Sequence, residues 1–186
     1  MKYNNELHIT VCCDDTTIEY FADVCRNIGV KSTVIDLLNG EYHVMTSSVI
    51  NCTNDELTEE VNKVVSRLEK HFKIRRIKVE TEPRNVLENK LYFLYYETHI
   101  SCKEDRLDEI PGLLNDGWYK SRNVKKQGVI DITYRSNDPD LLIDIQFDVD
   151  YLNYKGITIS GQEQMIVEYA IIDTNQLLDS KWIIKK

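Results

Sequence analysis

The chain lacks several features that would place it quickly. No apolar stretch approaches the roughly 20 residues a helix needs to cross a bilayer, and "MKYNNELHIT" has no apolar core of the signal-peptide kind. The expectation is a cytoplasmic protein with no membrane partner. Five cysteines (12, 13, 25, 52 and 102) are odd in number and show no CxxC spacing, so reduced thiols are expected rather than a disulfide framework or a zinc site. Basic charge is also scarce. With 23 Lys and Arg against 31 Asp and Glu, the net charge is −8, which argues against a broad basic footprint for long nucleic acid. A nucleotide or short oligonucleotide in a local basic pocket stays compatible with that balance.

What the chain does have is enough apolar surface for a core. Apolar residues make up 42% and charged residues 29%, a globular rather than a disordered balance. A length of 186 residues suits one large domain or two small, closely packed lobes.

The pattern of elements favours two lobes. Residues 7–13 read as a strand. Thr16 and Glu19 suggest a capping box, and Ile18, Phe21, Ala22, Cys25 and Ile28 then recur at helical spacing up to Gly29. Two strands follow around the Asn39-Gly40 turn. Thr53 with Glu56 opens a second helix whose stripe is Leu57, Val61, Val64, Leu68 and Phe72, and "KIRRIKVETE" closes the unit as a strand. That order is the ferredoxin-like one. The second half starts alike, with a strand over 91–102, a helix over 104–115, and strands over 118–124 and 129–135. "IDIQFDVDY" alternates strictly and reads as a further strand, and "TNQLLDSKW" as a short last helix. The expected fold is therefore α+β: two pseudo-symmetric ferredoxin-like lobes with antiparallel sheets. Residues 1–83 form one lobe, and 90–186 form an eroded copy with extra strands.

Strand parity sorts the polar residues. With Ile9 and Val11 facing the helices, His8 and Thr10 face away. The same rule puts His43, Met45 and Ser47 on the open side of their strand, likewise Arg76, Lys78 and Glu80, and likewise Glu97, His99 and Ser101. "HITV" at 8–11 and "HISC" at 99–102 then stand out as two copies of His-x-[Thr/Ser]-apolar. This pair resembles the signature of the 2H phosphoesterases, the LigT-like superfamily, which carry one such motif on each of two pseudo-symmetric lobes. The resemblance implies that His8 and His99 are a general acid and base, with Thr10 and Ser101 on the phosphate. Arg76, Lys78 and His43 stand close enough in the expected sheet to assist in binding.

The chemistry is consistent with such a site. Attack on a phosphodiester needs one proton removed and one delivered, and imidazole does either near neutrality. The resemblance thus implies a phosphodiesterase, a hydrolase acting on a small nucleotide or short RNA with a 2′,3′-cyclic or 2′–5′ linkage, with no metal and no cofactor expected. The competing reading is a non-catalytic module that binds a nucleotide, peptide or protein through its open sheet face. A histidine on an exposed strand face is commonly just solvated, His71 suits a helix C-terminus, and Asp144, Asp148 and Asp150 on an extended strand lie too far apart to share an ion.

Overall fold

A computed structural model describes residues 1–109, 117–162 and 164–179. Along the chain lie β1 (Tyr3–Val11), α1 (Ile18–Ile28), β2 (Lys31–Asp36), β3 (Tyr42–Cys52), α2 (Leu57–Leu68), β4 (Ile74–Thr81) and α3 (Pro83–Asn89). The second half supplies β5 (Tyr95–Lys103), β6 (Trp118–Asn123), β7 (Val129–Ser136), α4 (Leu142–Tyr154) and β8 (Ile166–Asp173), with a 3₁₀ turn at Gln176–Asp179.

Among the described residues, β1 to β8 form one closed antiparallel barrel in the order β1-β3-β2-β6-β7-β5-β8-β4. The expectation of two ferredoxin-like lobes, each with its own sheet, is therefore corrected. Each half does arrange its strands in an equivalent order, β4-β1-β3-β2 and β8-β5-β7-β6, but neither ends in a free edge. β2 pairs with β6 through Ile35–Asn123 and Asp36–Arg122, and β4 pairs with β8 from Lys78–Asp173 to Thr81–Tyr169. The physical reason is edge satisfaction. Strands at a sheet border carry unpaired N–H and C=O groups, and joining border to border gives such groups partners along each seam.

Helices cover the outside of the barrel. Leu7, Ile9 and Val11 of β1 point outward into a core with Phe21 and Cys25 of α1 and Val61, Val65 and Leu68 of α2. A second core joins Ile100 and Cys102 of β5 and Ile130 and Ile132 of β7 to Ile145, Val149 and Leu152 of α4. The apolar faces of the strands thus look out and the polar faces look in.

Local signals explain most of the element boundaries. Gly29 ends α1 in the left-handed region at φ 78°, where a side chain would be strained. Thr53 and Glu56 bond reciprocally before α2, with Thr53 N–H to Glu56 Oε2 at 2.9 Å and Glu56 N–H to Thr53 Oγ1 at 3.3 Å. Before α1 the expected Thr16–Glu19 box is absent. Asp14 Oδ1 instead accepts from the Thr16 hydroxyl at 2.7 Å and the Thr17 hydroxyl at 2.9 Å. The expected helix over 104–115 is a 3₁₀ turn at Glu104–Glu109, and residues 110–116 lie outside the described residues. The expected last helix is likewise reduced to the 3₁₀ turn at Gln176–Asp179, with the residues after it outside the description.

The segment "IDIQFDVDY" is a helix, not a strand. Its alternation hid a second spacing: Ile145, Val149 and Leu152 are buried on one helical face, while Ile143 and Phe147 point to solvent. A start signal also lies just ahead, where Asp138 accepts from Asp140 N–H at 3.0 Å and Pro139 opens the first turn. On a strand Ile145 and Phe147 would share a face; on α4 they are 3% and 68% exposed. Ile145→Ala should therefore cost about 2–5 kcal/mol in chemical denaturation, and Phe147→Ala no more than about 0.5 kcal/mol. Equal losses would restore the strand assignment.

Candidate functional site in the barrel lumen

Inward parity fills the barrel with polar and charged side chains around a cavity of about 380 Å³. His8, Thr10, His43, Arg76, Lys78, His99 and Ser101 all line it. A hollow of about 460 Å³ lies outside one end, against Tyr42, His43, Arg75 and the Gln176–Asp179 turn. Fewer charged groups converge there, so the lumen is the better candidate.

One end of the lumen is locked by ion pairs. Arg76 grips Asp173 in a fork, Nε to Oδ1 at 2.9 Å and Nη2 to Oδ2 at 2.6 Å, and its Nη1 meets Asp179 Oδ2 at 2.7 Å. Arg135 meets the same Asp179 oxygen at 2.6 Å, bonds Glu97, and lies over the Tyr95 ring at 4.2 Å. The Tyr95 hydroxyl donates to Asp173 Oδ2 at 2.5 Å. Asp173, Asp179 and Arg76 are almost wholly buried, so a carboxylate or guanidinium here needs its partners. His43 sits at this end, 3.9 Å from Asp179 Oδ1, and burial lowers its pKa.

The middle is bridged by Lys78, whose Nζ lies 2.9 Å from both Glu80 Oε2 and Glu97 Oε2. Burial opposes charge on Glu97, yet Lys78 and Arg135 outweigh it and hold its carboxyl well below the ordinary value.

The other end is more open and is built from histidines and carboxylates. His8 Nε2 stands 3.2 Å from Glu6 Oε2 and 3.2 Å from Glu80 Oε2. His99 Nε2 stands 3.4 Å from Glu97 Oε2 and 3.6 Å from Glu168 Oε2, and its Nδ1 lies 3.0 Å from Thr133 Oγ1. Side chains here are 38% (Glu6), 30% (His99) and 20% (Glu168) exposed, against 6% for Arg76. Burial works against a charged His8, but Glu6 and Glu80 prevail and raise its pKa to about 9. Burial and the nearby Glu80 charge push Glu168 up to about 7.

The expected site residues thus share one chamber, but not in the expected way. The histidines do not face each other across two lobes. They stand on β1 and β5 with β4 and β8 between them, and Glu80 of β4 is a neighbour to both. A ring held protonated between two carboxylates is a poor base near neutrality. The Ser101 hydroxyl donates to Asp131 Oδ1 at 2.5 Å, and Thr10 is buried opposite Arg76 in the β1–β4 register. Arg76 and Lys78 are committed to carboxylates rather than presented to a phosphate.

Sequence reasoning named neither Glu6, Glu80, Glu97 nor Glu168 as site residues. Parity had already put Glu80 and Glu97 on the polar face, and the same alternation marks Glu168 between outward Val167 and Tyr169. The residues come from separate strands, so no local spacing joins them. Asp148, read as part of a strand, lies on α4 and accepts from Trp118 Nε1 at 3.1 Å.

No protein-family profile matches this chain, and no curated protein matches it. A solved structure described as a putative chlorite dismutase is similar at a TM-score of 0.32 and 10% identity, covering 92% of this chain and 96% of that one. The ferredoxin-like and 2H phosphoesterase expectations are corrected by the closed barrel, which replaces the two facing lobes that the resemblance implies. Nothing in the comparisons shows hydrolase activity.

The pKa of His8 sets a pH dependence. Its folded value, about 9, lies above the ordinary 6.5, so the stability from its ion pairs is complete below pH 6.5 and is lost as pH rises through 9. Thermal melts should show a falling midpoint across that window in the wild type, and a flatter slope in His8→Gln. An identical slope in both would mean that His8 is not held charged.

Proposed function

We propose that the protein is a binding barrel that takes a small ligand carrying positive charge into the open end of its lumen. The supporting observation is the unequal pairing of the carboxylates. At the closed end Asp173 and Asp179 each have a guanidinium. At the open end the ion pairs of Glu6 and Glu168 among the described residues are with histidines alone. A cation entering there meets Glu168, which burial and Glu80 leave short of positive charge, and Glu6, which shares the charge of His8 with Glu80, whereas an anion must compete with Asp173, Asp179, Glu80 and Glu97 for the buried guanidiniums and Lys78.

The setting proposed is the cytoplasm. All five cysteines are free, with Cys25, Cys52 and Cys102 buried, which suits a reducing compartment. Among the described residues no helix is long and apolar enough to cross a membrane.

A thermal-shift panel at constant ionic strength tests the reading. Small mono- and diamines are compared with inorganic phosphate, AMP and 2′,3′-cyclic AMP, with nucleotide turnover followed in parallel. A ligand at a hundred times its dissociation constant adds about 2.7 kcal/mol, or about 5–10 °C for a chain of this size. The cations should give such a shift in the wild type, and Glu6→Gln/Glu168→Gln should remove most of it. Stabilisation by the anions alone, or turnover of the cyclic nucleotide, would overturn the proposal.

A further inference from the structure

The open end of the lumen has a more specific capacity, which rests on the cation-binding reading above. Glu80 of β4, His99 of β5 and Glu168 of β8 each place a ligand atom within 4.8 Å of the other two. The three strands are consecutive around the barrel, in the order β5-β8-β4, so the main chain beneath the cluster is held by ladder hydrogen bonds. We propose that Glu80, His99 and Glu168 form a site for a divalent first-row transition-metal ion, of the zinc or iron(II) class, with its remaining coordination position facing the cavity.

Three features carry this. The first is Glu80, which is 1% exposed. Its Oε2 is occupied by Lys78 Nζ at 2.9 Å and His8 Nε2 at 3.2 Å, but its Oε1 is buried with no hydrogen-bond partner. A buried carboxylate oxygen without a partner is costly, and a metal ion on Oε1 removes the deficit while Lys78 and His8 keep the group oriented. The second is the ring of His99. With its Nδ1 at 3.0 Å from Thr133 Oγ1, the ring is fixed through the nitrogen that would not bind metal, the outer-shell arrangement that histidine ligands use. Nε2 is left turned toward the carboxylates.

The third feature is spacing. A tetrahedral shell with bonds of about 2.1 Å puts its ligand atoms roughly 3.4 Å apart, and His99 Nε2 already stands 3.6 Å from Glu168 Oε2. Glu168 is 20% exposed and has room to adjust toward Glu80. Lys78 and the charged His8 oppose a nearby cation, but Lys78 is shared between Glu80 and Glu97 and His8 between Glu80 and Glu6. One imidazole with two carboxylates favours zinc, iron or nickel over calcium and magnesium, which prefer oxygen-only shells.

The test uses the full chain stripped with chelator. Zn²⁺ is titrated calorimetrically and Co²⁺ by its visible ligand-field absorption, with Ca²⁺ and Mg²⁺ as controls. One ion per chain is expected, with His99→Ala and Glu168→Gln each weakening affinity at least tenfold while circular dichroism stays native. Cys12→Ser/Cys13→Ser, which removes one exposed and one half-buried thiol just after β1, should leave affinity unchanged. No Zn²⁺ or Co²⁺ binding, binding lost in the cysteine variant, or binding indifferent to His99 and Glu168 would overturn the proposal. If organic cations still stabilise the protein when metal does not bind, this inference fails and the cation-binding reading stands; if neither binds, both fail.

Discussion

Each half of this chain has two border strands, β2 and β4 in the first and β6 and β8 in the second. Their unpaired backbone groups are the constraint on which the rest depends. Joining β2 to β6 and β4 to β8 closes the barrel, and closure turns two polar sheet faces into one interior. At the closed end a charged side chain is almost out of reach of water and must find a counter-charge across the lumen. The Arg76, Asp173, Asp179 and Arg135 network is that compensation, gathered from β4, β8, β7 and the Gln176–Asp179 turn. The turn that follows β8 is therefore part of the electrostatics of the lumen, because its Asp179 serves two arginines.

The same constraint makes the two ends of the lumen unequal. Where Asp179 seals the chamber, donors and acceptors are matched in forked, nearly solvent-free pairs. Where the chamber opens, histidines take the place of arginines beside Glu6 and Glu168. A histidine lacks the guanidinium's five-donor fork, so this end holds its carboxylates through single contacts rather than forked pairs. That inequality between the two ends is what supports the proposed cation-binding reading.

Much of the site's membership was legible in the sequence, and its arrangement was not. Alternation put His8, Thr10, Arg76, Lys78, His99 and Ser101 on polar strand faces, and they do line one cavity. Alternation is silent on whether those faces oppose each other or curve into a ring, since both keep the same residues out of the apolar core. The partners of His8 and His99 were equally hidden: Glu80 is 72 residues from His8 and Glu168 is 69 from His99, and the barrel order alone makes them neighbours. The α4 error has a different cause. Ile143, Ile145, Phe147, Val149 and Tyr151 satisfy a period of two while Ile145, Val149 and Leu152 satisfy a helical one, and the start signal at Asp138-Pro139 decided between them.

Closure is thus the claim to test first, and a nuclear Overhauser map of the backbone tests it directly. The account predicts cross-strand contacts between Ile35 and Asn123 and between Asp36 and Arg122, and a second set linking Lys78 to Asp173 and Thr81 to Tyr169. Contacts confined within residues 1–83 and within the later residues, with none between β2 and β6 or between β4 and β8, would contradict the barrel and the interior site built on it.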